Sequence, residues 1–375
     1  MLCLRGVVRT LLCLALTIYR ANAECECGYS INKTTDTTTT YDVFTDLMEN
    51  DFLHTSGDNC TEFGWRPQQY NVSARDARGP YGKEFDVANV VLNPLEDSHM
   101  WSGNAKYGGD AGLNLWVRAD YTDEVVGSAE VATVRDDALY GSFRVGMKLS
   151  AQNGTCGAFF WYYNNSQEID MEFLSRQFNE SQGTVQLVLQ SPESVRDGFD
   201  ASGTAGYQIQ HLPFRPDEKF HEYRFDWTPN SVIFYVDGQI MHTMTENIPN
   251  SAGRMFMNHW SNGDPQWSAG PPAEDTSMTV SYIKAYFNST DSERAKEYSK
   301  QCPVFDAAKV CSIPEQTVAP DGGDAKTYFF SQDGGEKTPG QSTYHTTNGS
   351  GAGRPLRVHT IYVSLLVSLL SWASI

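Results

Sequence analysis

The sequence predicts an all-β sandwich or jelly roll, and three observations carry that prediction. Between Tyr41 and Asn288 apolar residues recur with a period of two in short runs. Gly, Pro, Asn and Asp punctuate those runs at short intervals, and few stretches carry a helical repeat. Many short strands without intervening helices argue for one layered β domain over that length, not two domains.

Taken in order, the chain opens at Glu24 with a Cys-bearing, then Thr-rich arm, and regular structure starts near Tyr41. Strands are expected at 113–117, 142–149, 184–189, 223–227, 232–236, 254–258 and 279–287, where side chains alternate between apolar and polar. Asp237-Gly238 supplies the two residues of a hairpin turn between 232–236 and the run that follows. Residues 24–288 therefore form the body. A helix is expected over 291–300, capped by Asp291 or Ser292, within an extension over 289–315 that carries Cys302 and Cys311. From Gln316 to Arg354 the composition turns to Gly, Ser, Thr, Asp and Pro, which reads as a flexible stalk.

Both ends read as addresses. Residues 1–23 combine Arg5 and Arg9, the apolar run Leu11 to Leu16 and the small-residue site Ala21-Asn22-Ala23, the order of a signal peptide. At the other end the small residues Asn348 to Gly353 and a short polar spacer precede the apolar run Ile361 to Ile375. That is the order of a signal for a glycosylphosphatidylinositol anchor, with 355–375 removed. The tail is shorter than the roughly 20 apolar residues that spanning a bilayer requires. The expected location is thus the cell surface or cell wall, with contact to the membrane only through the lipid.

Charge and cysteine usage fit that location. With 28 Lys and Arg against 46 Asp and Glu, the formal net charge is −18. Nucleic acid and anionic lipid surfaces are excluded as partners, since both attract the opposite sign. A neutral polysaccharide fits, and a monomer is expected. Cys25, Cys27, Cys60, Cys156, Cys302 and Cys311 remain once the leader is removed, an even set that predicts three disulfides. The sequons at Asn32, Asn59, Asn71, Asn153, Asn164, Asn179, Asn288 and Asn348 suit an extracellular glycoprotein. No phosphate-binding loop, zinc helix or nucleophile elbow occurs, and no metal or cofactor is assigned.

The chemistry concentrates in Glu168-Ile169-Asp170-Met171-Glu172. On a strand the three acids share one face and Ile169, Met171 and Phe173 the other. Three carboxylates on one face repel, and such crowding drives proton affinities apart. Glycoside hydrolysis uses two carboxyl groups, one at the anomeric carbon and one that protonates the leaving oxygen. Four residues of strand separate the Glu168 and Glu172 Cα atoms by about 13 Å, whereas a retaining pair stands about 5–5.5 Å apart. The long side chains must therefore lean together over a curved sheet.

This motif resembles the signature of glycoside hydrolase family 16. The run Phe220 to Trp227 with Tyr235-Val236-Asp237-Gly238 is similar to the family's downstream strand pair. Met257 to Gly263 resembles a cleft segment of lichenase-like members, and Tyr282 to Tyr286 a closing strand. The resemblance implies a concanavalin A-like β-jelly roll with a concave catalytic sheet and a retaining mechanism. Glu168 is then the nucleophile, Asp170 its helper and Glu172 the acid/base. One residue between Asp170 and Glu172 is the regular form of the motif, similar to lichenases and transglycosylases, as opposed to the bulged laminarinase form. A fungal cell-wall glucanase acting on β-1,3- or mixed-linkage glucan is implied, with transglycosylation and a non-catalytic, lectin-like wall protein as alternatives.

Aromatic rings stack against sugars, so Trp161, Trp260 and Trp267 are candidate platforms, and Asn258 a candidate partner for a hydroxyl. Trp161 has the strand parity of Phe159 and Tyr163, and one of those faces must be core. His221 is read as structural, and Glu222 and Asp226 as exposed acids.

Overall fold

The computed structural model describes residues 25–31, 43–121, 123–334 and 340. The expected leader and anchor signal lie outside these residues, as does most of the Thr-rich arm. Two large sheets pack face to face, which is the all-β jelly-roll sandwich the alternation predicts. The acid-bearing sheet runs in the order Tyr207–Leu212, Gly183–Gln190, Gln167–Leu174, Cys156–Asn164, Arg254–Trp260, Val125–Thr133, Gly82–Phe85 and Tyr70–Val72. Trp65–Pro67 also pairs with Val125–Thr133. The opposite sheet runs Gln239–Met244, Ser231–Val236, His221–Thr228, Ala138–Lys148, Thr276–Ser289, Gly112–Val117 and Val90–Asn93, with Asp46–Asp51 alongside Thr276–Ser289.

The core between them is built from one parity of each strand. Ile169, Met171 and Phe173 point inward and are buried, as are Phe159, Phe225 and Phe234 from neighbouring strands. The Asp237-Gly238 turn forms as expected, both residues taking positive φ of 45° and 74°, with Val236 opposite Gln239.

Trp161 corrects one expectation. It is fully buried in this core, with its ring 4.3 Å from that of Trp227 and its indole N–H donating to the Ala138 carbonyl at 3.3 Å. The hairpin register explains why: Trp161 lies opposite Ile169, while Tyr162 lies opposite Glu168. Gly253 leaves the slot for the indole, since a Cβ there would stand 2.7 Å from the ring. Trp161 is therefore a packing residue and not a sugar platform.

Among the described residues the six cysteines form two disulfides, Cys25–Cys311 and Cys27–Cys302, and not the expected three. Cys60 and Cys156 are free and sit in separate apolar clusters, the first in the central core and the second below the acid face. Both bridges tie the N-terminal arm to the extension. There Asp291 caps the helix Ser292–Gln301, and a small sheet joins Tyr29–Ser30 to Val43–Phe44 and Cys311–Ser312.

The stalk expected over 316–354 is corrected through residue 334, because residues 313–334 lie as a strap across the outer face of the opposite sheet; apart from residue 340, the rest of that stretch lies outside the described residues. Ile313, Ala325, Phe329 and Phe330 are buried there. Pro314 accepts from Arg144 at 2.7 Å, Glu315 pairs with Arg224 at 2.5 Å, and Asp321 accepts from the Phe220 N–H at 3.1 Å. Glu49 accepts from the Ser331 N–H and hydroxyl at 2.9 and 2.8 Å. Glu222 and Asp226, read as exposed, are each only 1% accessible beneath this cover. Parity alone pointed them outward; in the fold the Tyr282 hydroxyl donates to Glu222 at 2.7 Å, and Arg224, itself held by Glu315 of the strap, covers Asp226. His221 is structural, stacked on Phe214 with 3.6 Å between ring centres and bonded to Asp237 at 2.7 Å.

Candidate active site

The acid strand Gln167–Leu174 places its three carboxylates on the outer face of its sheet. Pairing is continuous from Glu168 to Glu172 on the Gly183–Gln190 side, so the strand carries no bulge between Asp170 and Glu172. On the other side Glu168, Asp170 and Glu172 stand opposite Tyr162, Phe160 and Ala158. One strand further, Ala158 pairs with Asn258 and Cys156 with Trp260, which brings Asn258 and Trp260 into the same face, while Met257 and His259 turn into the core. Asn258 is in turn opposite Glu130. A strip of side chains thus crosses the strands from Gln186 through Glu172 to Asn258 and Glu130.

Burial raises the proton affinity of all three acids, and their neighbours modify each differently. Burial pushes Glu168 up to about 8, the negative charge of Glu172 adds to the shift, and a hydrogen bond with Asp170 opposes it. Asp170 is raised well above the carboxylate range by burial and then by the charges of both glutamates. The hydrogen bond between the two raises the proton affinity of Asp170 and lowers that of Glu168, so Glu168 is the one eased toward the carboxylate and is held in place by Asp170. Glu172 is raised by burial and moderated by the Cys156 thiol, 3.6 Å from its Oε1, by the cations Lys83 and Arg78, and by the Trp267 indole N–H. A carboxyl so placed holds its proton more firmly than an exposed one, as a proton donor requires.

The remaining residues expected at the site take different positions. Trp267 is half-buried beside Glu172, on a turn pinned by Arg176, whose Nε donates to the Trp267 carbonyl at 2.6 Å. Asn258 is buried and donates to Glu130 at 3.1 Å, while its own Oδ1 has no partner. Trp260 lies on the acid face but is only 8% exposed, packed on Phe85, Cys156 and Leu174. Among the described residues no group of three or more His, Cys, Asp or Glu side chains is arranged to hold a metal ion.

Sequence reasoning missed Glu130, Lys83, Tyr70 and Cys156. Glu130 is buried, its proton affinity is raised by that burial, and it accepts from the Tyr70 hydroxyl at 3.0 Å. The available signal was a single acid within the run Ser128-Ala129-Glu130-Val131-Ala132, where an unpaired charge is costly.

A test of the electrostatic assignment follows from the Trp267 bond. Its N–H favours the carboxylate form of Glu172, so Trp267→Phe is expected to raise the proton affinity of that acid and move the basic limb of the kcat/KM profile to higher pH. A changed KM with an unmoved limb would make Trp267 a platform alone.

The family model for glycosyl hydrolases family 16 matches residues 96–284. A curated β-glucanase of Paenibacillus polymyxa is 34% identical over 127 residues, which is 32% of this chain and 48% of the relative. One of Bacillus licheniformis is 33% identical over 135 residues, 34% of this chain and 50% of the relative. The chain spans about half the length of the curated relatives it matches. Among solved structures, a Bacillus licheniformis β-glucanase covers 64% of this chain and 98% of its own, at 21% identity and a TM-score of 0.48. Apo Crh5 transglycosylase covers 64% of this chain and 84% of its own, at 18% identity and a TM-score of 0.45. The family match takes in 284 − 96 + 1 = 189 of the 375 residues, half of the chain, and includes every acid of the strand Gln167–Leu174. On that match, the chain belongs to glycosyl hydrolases family 16.

Proposed function

We propose that the protein is a retaining enzyme acting on β-1,3- or mixed-linkage β-glucan at the cell surface. The observation that carries this reading is the placement of three crowded carboxyls, Glu168, Asp170 and Glu172, on one face of a strand without a bulge, where burial raises the proton affinity of each. In the first step the Glu168 carboxylate attacks the anomeric carbon while Glu172 gives its proton to the departing glycosidic oxygen. A glycosyl ester of Glu168 and a free chain end result. In the second step the Glu172 carboxylate takes a proton from an incoming hydroxyl, whose oxygen bonds to the anomeric carbon and releases Glu168. Asp170 holds Glu168 in register throughout through its hydrogen bond.

Water as the incoming group makes the protein a glucanase. A second reading, transglycosylation, is favoured by the polar chain next to Glu172. There the Tyr207 hydroxyl donates to Gln186 at 2.6 Å, and Gln186 donates to Gln177 at 2.7 Å, offering groups that could seat an acceptor sugar. A lectin-like role is disfavoured because three half-desolvated carboxylates cost stability that a binder has no reason to bear. Incubating labelled β-glucan oligosaccharides with and without unlabelled acceptor separates the readings. Shortened products alone indicate hydrolysis, lengthened labelled products indicate transfer, and unchanged oligosaccharides across β-glucans, xyloglucan and chitin oligomers would remove both.

A further inference from the structure

The Trp260 ring lies on the acid face, yet it is not free to receive a sugar. Lys83, on the strand Gly82–Phe85, extends across it with its Nζ 3.9 Å from the ring centre. Trp260 is 8% exposed, with Lys83 over its ring and Phe85, Cys156 and Leu174 packed around it. Lys83 is bound there weakly in one respect: among the described residues its ammonium has no hydrogen-bond acceptor. Its neighbours are the Trp260 face, the Phe85 ring with its centre 5.9 Å away, the Cys156 thiol, the charges of Glu130 and Glu172, and the like charge of Arg78. An ammonium over an indole face is attracted by the ring quadrupole, all the more when water is excluded. The same face is the flat apolar surface that a pyranose ring would use.

We propose that Lys83 is a retractable lid on Trp260, which a sugar unit must displace before it can stack there, and that this residue sets how tightly the cleft holds neutral β-linked oligosaccharides. The inference rests on the glucan reading above for its ligand, but the lid itself does not. A four-carbon stem on a short strand near the edge of the sheet lets the ammonium swing into the cleft without moving backbone. Displaced, it keeps the favourable field of Glu130 and Glu172 and gains hydrogen bonds to water or to sugar hydroxyls. Binding then costs only the cation–π contact. An anionic sugar is a poor candidate, since Glu130, Glu168, Asp170 and Glu172 line the same floor.

The test uses Lys83→Ala and Lys83→Arg, each in a Glu168→Gln background so that ligand is not consumed. Acrylamide quenching of tryptophan fluorescence is expected to increase in Lys83→Ala, to stay unchanged in Lys83→Arg, and to lose the increase when Trp260→Phe is added. Binding of cello- and laminari-oligosaccharides by calorimetry is expected to tighten in Lys83→Ala by roughly threefold to thirtyfold, the span to which a displaced cation–π contact converts. Equal quenching in Lys83→Ala overturns the lid. Weaker oligosaccharide binding also overturns it and makes Lys83 a direct donor to the sugar. If quenching behaves as expected while no β-glucan oligosaccharide binds to any variant, the lid stands and the glucan reading falls.

Discussion

Glu168→Gln is expected to yield a folded protein that still binds β-glucan oligosaccharides and whose turnover has dropped to the uncatalysed background. The amide keeps the size of the carboxyl and can still meet Asp170, but it cannot attack the anomeric carbon, so no glycosyl-enzyme forms. Stability is expected to hold or rise in thermal unfolding, because burial and Glu172 already oppose the charge of Glu168. The contrast with Glu172→Gln sharpens the assignment. Loss of a positioned proton donor costs about a hundredfold to ten-thousandfold, and that loss shrinks for a substrate whose leaving group departs without a proton. Glu168→Gln gains nothing from such a substrate. Equal recovery in both variants would exchange the two roles, and unchanged turnover in Glu168→Gln would remove it from the reaction.

The largest expected effect on stability lies on the other side of the sandwich. Arg224 is 3% exposed, and its Nε donates to Asp226 at 2.7 Å while a second bond joins the same carboxylate. Its remaining arm pairs with Glu315 on the strap, and the guanidinium lies 4.1 Å from the centre of the Tyr235 ring. Arg224→Ala strands the buried Asp226 carboxylate and loses the strap contact together. Breaking a buried pair of this kind costs about 3–5 kcal/mol, to be read from urea unfolding. Limited proteolysis should then cut within 313–334 before the sandwich is attacked. Glu315→Ala leaves the Arg224–Asp226 pair in place and is expected to cost less. Equal losses in the two variants would show that Asp226 does not depend on Arg224 for its burial.

The acid strand was legible because its period of two separates Ile169, Met171 and Phe173 from Glu168, Asp170 and Glu172 without reference to any other part of the chain. The turn at Asp237-Gly238 was legible for a similar reason, since two residues dictate its backbone. What escaped depends on partners distant in sequence. Trp161 and Trp260 are alike as residues, and only the pairing of Trp161 with Ile169 and of Trp260 with Cys156 assigns one to the core and the other to the acid face. Glu222 and Asp226 have the parity of exposed acids, and what meets them is fixed by the fold: Tyr282 from a strand 60 positions later bonds Glu222, and the Arg224 that pairs with Asp226 is held by Glu315, 91 positions on. Cys60 and Cys156 look like a third bridge by counting, but nothing local reveals that their strands bury them in different clusters. Glu130 and Lys83 join the site through strands whose sequence carries no motif, brought there by pairing with Arg254–Trp260 and Val125–Thr133.

The bridge from Cys25 to Cys311 closes a loop of chain 286 residues apart in sequence, and the strap begins just past it. A pull applied to the far end of the strap would therefore peel residues 313–334 from the opposite sheet one contact at a time and then stop at a covalent bond. The released segment supplies roughly 70 Å of extension. Force arriving from that side is absorbed by a segment that can lift off and redock, and beyond it by sulfur–sulfur linkage to the N-terminal arm. The strands that carry Glu168 and Glu172 lie on the other sheet, outside this line of tension, so the catalytic geometry is mechanically insulated from whatever tugs on the end of the strap.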